Sequence, residues 1–263
     1  LFLYPEPMTS DWEQQIKAQI RQRYAGLSGS AEDGATKAIE HGYPADLISE
    51  IPGDLIAGYS GCGYLFEDLD FKGNETVVDL GAGAGLDSYI AASQLTDGVV
   101  ISVDMTIEIL VNSRQSLINL FQKNEMGTGI VVKKVANSAS ISRQSLINLC
   151  ADIEALPLKN ACADLVMANA SFNLTISKEK AFAEAYRILK PGGRLVARDL
   201  VKDGELPAEV LSDPLSYNTS LGGALAEDAL ITEISKAGFK DVTLSDHREF
   251  SYVQSVKIIA TAS

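Results

Sequence analysis

The run Glu75-Thr-Val-Val-Asp79-Leu-Gly81-Ala-Gly83-Ala-Gly85-Leu-Asp87 constrains this chain more than any other stretch. A short β-branched segment ends in a carboxylate, and glycine then occupies every second position. Such a pattern is a buried strand turning sharply into a helix, because glycine lets the backbone come close to a nucleotide-like ligand at the helix N-terminus. It implies a strand–helix unit of a parallel sheet, and hence an α/β fold. The dinucleotide fingerprint needs its third glycine one place later, to seat a pyrophosphate. Position 86 is Leu86, so the spacing is GxGxG and a nicotinamide dinucleotide is not expected.

From Glu75 onward apolar strands alternate with amphipathic helices. Strands are predicted at 76–80, 99–103, 164–168 and 194–199, and helices at 86–95, 106–120, 178–189 and 226–237. Lys190-Pro191-Gly192-Gly193 stops the third of these helices, since proline cannot continue it and glycine caps it. The segments 240–245 and 252–261 read as an antiparallel edge. The expected architecture is a doubly wound, Rossmann-like, mostly parallel sheet with an antiparallel C-terminal edge. Residues 75–263 form its core. Residues 1–74 read as an N-terminal helical cap and wrapping segment: Trp12, Ile16 and Ile20 recur at helical spacing between Asp11 and Tyr24, whereas glycines, Pro44 and Pro52 argue against a long regular element in 25–74.

The octapeptide Ser-Arg-Gln-Ser-Leu-Ile-Asn-Leu occurs at both 113–120 and 142–149. Two isolated copies are too few for a stacked repeat architecture, and they leave two candidates for the third strand, Ile130–Ala136 or Leu146–Ala151. The second is preferred because it runs directly into Asp152, which makes 121–141 an insertion.

A net charge of −13 and a pI near 4.6 leave no basic footprint for a polyphosphate, so nucleic acid is not an expected partner. No apolar run approaches the roughly 20 residues of a membrane helix. The three cysteines, Cys62, Cys150 and Cys162, form no CxxC pair and make a poor disulfide framework, so a reducing cytoplasm is the expected setting.

In an open parallel sheet, ligands bind beyond the carboxyl ends of the strands where strand order reverses. The first strand ends at Asp79 and the loop Gly81, Ala82, Gly83 and Gly85. The second ends at Asp104, nineteen residues past Gly85, about the ~20-residue interval at which a carboxylate meets ribose hydroxyls. The third ends at Asp152-Ile153, where a carboxylate can accept from an exocyclic amine and the next amide can donate to a purine ring. The fourth ends at Asn169, beside the glycine loop, where a carbonyl can meet an ammonium or sulfonium group. Each feature alone has a plainer reading, as a tight turn or a helix N-cap. Four of them in order are read together as a cofactor site.

Val-Val-Asp-Leu-Gly-Ala-Gly-Ala-Gly, Ser-Val-Asp-Met-Thr, Ala-Asp-Ile-Glu-Ala-Leu-Pro and Arg-Ile-Leu-Lys-Pro-Gly-Gly-Arg-Leu resemble the motifs of class I S-adenosylmethionine-dependent methyltransferases. The resemblance implies that the loop at Gly81, Gly83 and Gly85 holds the methionine part of S-adenosylmethionine and that Asp104 holds its ribose. Met105 would pack on the adenine, with Asp152 and Ile153 reading its edge. Gly58-Tyr59-Ser60-Gly61-Cys62-Gly63, Asp104-Met105-Thr106 and Asn173-Leu174 look most like arsenite methyltransferases. That family grips trivalent arsenic, a soft ion, with two or three thiolates. Only Cys62 matches: Ala170 stands at the second expected position, and 217–224 contains no cysteine.

Cys62 is therefore either a functional thiol or a small apolar residue in a glycine-rich loop. An oxygen or nitrogen acceptor would need a base. His41 and Tyr59, in the wrapping region with Tyr24 and Tyr43, join Cys62 as catalytic candidates, and His247 reads as surface. Arg198 is a candidate for binding an anionic substrate, or else it pairs with Asp199 or Asp203. The expected activity is methyl transfer to a small-molecule acceptor. Arsenite methylation with an altered thiol set and a non-catalytic cofactor-binding protein are the alternatives.

Overall fold

The computed structural model describes residues 11–26, 29–125, 146–206, 220–250 and 252–263. The candidate strand Ile130–Ala136, residues 126–141 of the expected insertion and residues 217–219 of the third thiol segment lie outside them.

Seven strands form one sheet in the order β3-β2-β1-β4-β5-β7-β6. They are β1 (Thr76–Leu80), β2 (Val99–Asp104), β3 (Leu146–Cys150), β4 (Ala163–Asn169), β5 (Leu189–Val201), β6 (Lys240–Phe250) and β7 (Val253–Thr261). β1 to β5 pair in parallel, while β7 runs antiparallel between β5 and β6. Four of the five residues of β1 are buried, which is why it reads as a continuous apolar run rather than an alternation: both faces of a parallel sheet are covered. The third strand starts at Leu146, within the second octapeptide copy, as preferred. Residues 190–193 leave regular pairing, since β4 moves from Leu189 to Arg194 between Ala163 and Leu165.

Helices α5 (Leu86–Gln94), α6 (Ile107–Glu125), α7 (Lys178–Ile188) and α8 (Glu227–Lys236) cover the sheet. One core joins α7 and α8 to the sheet through Phe172, Phe182, Ile188 and Ile234. The other sets Tyr89 and Ile90 of α5 and Val77, Met167 and Val196 of the sheet against Tyr43, Ile48, Leu55 and Leu65. The N-terminal segment thus shares a hydrophobic core with the sheet.

That segment is more regular than expected. After α1 (Asp11–Ala25) come α2 (Ala31–Glu40), α3 (Ala45–Glu50) and α4 (Gly53–Ile56). Ser30 caps α2 by accepting from the Asp33 amide at 3.0 Å, a Ser-x-x-Asp start that the glycines obscured. Gly34 is no breaker here: a Cβ would fall 2.1 Å from the Ile56 carbonyl oxygen, so the residue lets α2 and α4 touch. In α1, Ile20 is fully buried while Trp12 is 51% exposed, so the helix rests on its C-terminal half.

Candidate active site

Strand order reverses between β1 and β4, and a cleft opens there at the carboxyl ends of the strands. Its larger lobe spans about 680 Å³ counted together with the open space at its mouth. Gly81, Gly83, Asp104, Met105, Asp152, Ile153 and Asn169 all line this lobe, so the four strand ends named from sequence converge on one space. A second lobe of about 370 Å³ continues past the glycine loop, lined by Tyr59, Asp79, Ala82, Asp87 and again Gly81, Gly83 and Asn169.

The glycine loop works differently from the expectation that its amides face a ligand. The Gly81 and Ala82 amides donate to the Val103 carbonyl at 2.8 and 2.9 Å, and the Gly83 amide donates to Asp104 at 3.0 Å. These bonds tie the loop to β2, so what it offers a ligand is close approach. Gly81 has φ +77° and a Cβ there would lie 2.4 Å from Ser171 Cβ, whereas a Cβ on Gly83 meets nothing within 4 Å and would project into open space. Gly85 does not line the cleft; it starts α5 in the left-handed region and faces Ser113.

Asp104 also accepts from the Thr106 amide at 2.8 Å. Burial pushes its carboxyl up, and the amides of Thr106 and Gly83 pull it back. In the second lobe, Asp79 accepts from Ser88 at 2.6 Å and Asp87 from Tyr43 at 2.6 Å. Both carboxyls are raised: burial is the larger cause for each, and the charge of Asp87 adds to the rise of Asp79. Asn169 knots this end together, its amide donating to Tyr43 (3.1 Å), Asp87 (2.9 Å) and the Gly63 carbonyl (2.8 Å) while its carbonyl accepts from the Cys62 amide (2.8 Å). All four partners are protein groups, so the Asn169 side chain serves as a brace.

The catalytic candidates divide. Tyr59 lines the second lobe, with its hydroxyl 3.3 Å from His41 Nδ1 and its ionisation strongly disfavoured by burial and by Asp87. His41 is set back from both lobes, packed between Tyr59 and Phe250, and burial lowers its pKa. Cys62 is 2% exposed in a small cluster with Ala170, Leu200 and Val253; burial and the charge of Asp199 push its thiol far up, so it holds its proton. Cys150 is exposed at the end of β3, its thiol 3.9 Å from the Met105 carbonyl, and neither it nor the half-buried Cys162 lines the cleft.

Arg198 departs from its predicted place on the acceptor side. It is completely buried, ion-paired with Asp246 of β6 and bonded to Ser255 at 3.2 Å, and it does not line the cleft. It also pairs with neither Asp199 nor Asp203. Register explains this: Arg198 points to the face where β6 and Gly63 close over it, with Gly63 so near that a Cβ would overlap the guanidinium stem.

A family model described as a methyltransferase domain matches residues 71–242, well over half of the chain. The chain belongs to the methyltransferase-domain family. An arsenite methyltransferase of Halobacterium salinarum is 29% identical over 93% of this chain and 62% of the relative. Another, from Aquipseudomonas alcaligenes, is 32% identical over 80% of this chain and 56% of the relative. This chain therefore spans little more than half the length of those two methyltransferases. Among solved structures, an arsenic(III) S-adenosylmethionine methyltransferase from Chlamydomonas reinhardtii superposes with a TM-score of 0.60 at 26% identity, covering 87% of this chain and 73% of its own. Fold class and cofactor class thus agree with the sequence motifs.

Sequence reasoning read α1 as part of a cap but did not name Lys17, Ile20 and Tyr24 as site residues; they line the larger lobe beside Asp104 and Asp152. Nothing in a short amphipathic helix far from the glycine loop says which cleft it covers. Asp87 was missed as a site residue as well; the available signal is its position two residues beyond Gly85, while its pairing with Tyr43 comes only from the fold. Among the described residues, no helix is long and apolar enough to cross a membrane, and no cluster of three or more metal-ligating side chains occurs.

Proposed function

We propose that this chain is an S-adenosylmethionine-dependent methyltransferase acting on a small-molecule acceptor. The observation that carries the reading is the two-lobed cleft along the glycine loop, with Asp104 and Asp152 at one end and Asp79, Asp87 and Asn169 at the other. The open space over Gly83, which a Cβ would enter, fits a ligand lying across the loop. In this reading Asp104 takes the ribose hydroxyls, Met105 packs on the adenine, and Asp152 and Ile153 read its edge. The carboxylates of the second lobe suit the ammonium of an amino-acid tail, with Asn169 and the Gly81–Gly85 loop shaping that lobe. Residues 75–263 would form the cofactor-binding core and residues 1–74 the cap.

The bound cofactor supplies an electrophilic methyl group. The chain's part is alignment and exclusion of water: Ile20 and Tyr24 roof the cleft, and Ala170, Leu174 and Thr175 form a wall without charge. A small neutral or weakly polar acceptor suits that wall, and a reducing compartment suits three unpaired cysteines. A second reading, arsenite methylation, is favoured by the names of the relatives. Against it stand the buried, protonated Cys62 and the methyl side chain of Ala170 beside it, which leave a soft ion without a second thiolate.

The test is release of S-adenosylhomocysteine from S-adenosylmethionine over a panel of hydroxyl, amine and thiol acceptors, with arsenite plus glutathione as a separate arm. Turnover on an organic acceptor that persists in Cys62→Ser supports the first reading. Turnover with arsenite alone, abolished by Cys62→Ser, would replace it with the second.

A further inference from the structure

Lys17 stands outside the family-matched residues 71–242 and 135 positions before Asp152, yet it reaches the purine end of the cleft. Its ammonium donates to Asp152 Oδ2 at 2.6 Å and to Glu154 Oε2 at 3.0 Å. Asp152 Oδ1 in turn accepts from the Glu154 amide at 2.9 Å, and Glu154 Oε1 accepts from the amides of Ile176 and Ser177 at 2.8 and 3.3 Å. Lys17 therefore fastens α1 to the loop after β3, and Glu154 ties that loop to the one leading into α7; both loops wall the cleft. Ile20, one turn further along α1, is fully buried, so the helix is seated as well as tethered.

A carboxylate offers about four acceptor positions. At Asp152 the Lys17 ammonium and the Glu154 amide take two of them, one on each oxygen. Free rotation of the group is thereby stopped with acceptor capacity left over. Resting on the cofactor reading above, we infer that Lys17 is a positioning residue that holds the Asp152 carboxylate in place to accept from the amino group of a 6-aminopurine and closes α1 over it. Burial disfavours the ammonium, but its bonds to Asp152 and Glu154 outweigh this and keep it charged. The contact is part-exposed, with the lysine 19% and Asp152 35% exposed, so its strength falls with salt.

The test is a double-mutant cycle on S-adenosylhomocysteine affinity, measured by calorimetry on the full chain, with ligand-free melting temperatures confirming that each variant is folded. Lys17→Met is expected to weaken binding about fivefold, the upper range for a part-exposed ion pair. Lys17→Arg is expected to retain most of the affinity. In an Asp152→Ala background, which has no side-chain acceptor, Lys17→Met should cost less than about twofold, because its route to the ligand is already gone. An equal loss in both backgrounds, or none in the parent chain, overturns the inference while leaving the cofactor reading intact. A parent chain that binds no S-adenosylhomocysteine overturns both.

Discussion

Alanine at Gly81 and alanine at Gly83 are the same chemical change two residues apart, and the structure separates their consequences. Both positions have positive φ, +77° and +54°, so each substitution carries the ~1–2 kcal/mol of left-handed backbone for a residue with a Cβ. At Gly81 the new methyl would also sit 2.4 Å from Ser171 Cβ, in a loop already fixed to β2 by hydrogen bonds from three of its amides. Overpacking of that kind adds ~1–3 kcal/mol. Gly81→Ala should therefore lose ~2–5 kcal/mol of stability, about 4–20 °C for a chain of this size. At Gly83 the methyl meets no protein atom, so the stability loss stays near ~1–2 kcal/mol. Its methyl instead enters the cleft, and S-adenosylmethionine affinity should fall at least about tenfold, ~1.4 kcal/mol. Thermal melting without ligand and calorimetry with it measure the two quantities independently. A Gly83→Ala protein that binds as tightly as the parent would refute the placement of the ligand over the loop. A Gly81→Ala protein of undiminished stability would refute the packing argument.

Asn169→Ala removes polar contacts to four groups, shared among two amide hydrogens and one carbonyl, and leaves Asp87 and the Cys62 amide short of a partner, so unfolding free energy should drop by ~2–4 kcal/mol with a parallel loss of cofactor binding, followed by urea titration and calorimetry. Arg198→Met should lower the melting temperature, costing ~1–3 kcal/mol for the lost contacts to Asp246 and Ser255, yet leave cofactor affinity unchanged; a large affinity loss would return Arg198 to the site. The raised carboxyls of Asp79 and Asp87 hold protons in the folded chain that the unfolded chain has lost, so their contribution to stability declines as pH rises above the ordinary carboxylate range. A cationic ligand favours the ionised forms. Affinity for it should therefore climb between about pH 6 and pH 8, with protons released on binding, as calorimetry in buffers of different ionisation enthalpy would report. A flat profile would mean that these two carboxyls do not face the ligand's charge.

The parallel core was legible because each of its parts carries a local signal: β-branched runs for buried strands, glycines at 81, 83 and 85, and Lys190-Pro191-Gly192-Gly193 after α7. The same holds for Asp104 and Asp152, whose positions follow from strand ends alone. Three things were not legible, each for a physical reason. The helix α2 hid behind Gly34, whose role is a contact with α4 that only tertiary structure reveals. The loop amides look free in sequence because their acceptor, the Val103 carbonyl, lies on another strand. Arg198 reads as a ligand group because β6, whose Asp246 neutralises it, is distant in sequence and reaches it only through an irregular pairing between Ser245 and Arg248.

The account stands on one cleft holding one ligand, and calorimetric titration of the parent chain with S-adenosylhomocysteine, repeated with Gly83→Ala, tests it most directly. It predicts one site per chain and a marked loss of affinity in the variant. No heat at millimolar ligand, or binding that the Gly83 methyl leaves untouched, would contradict it.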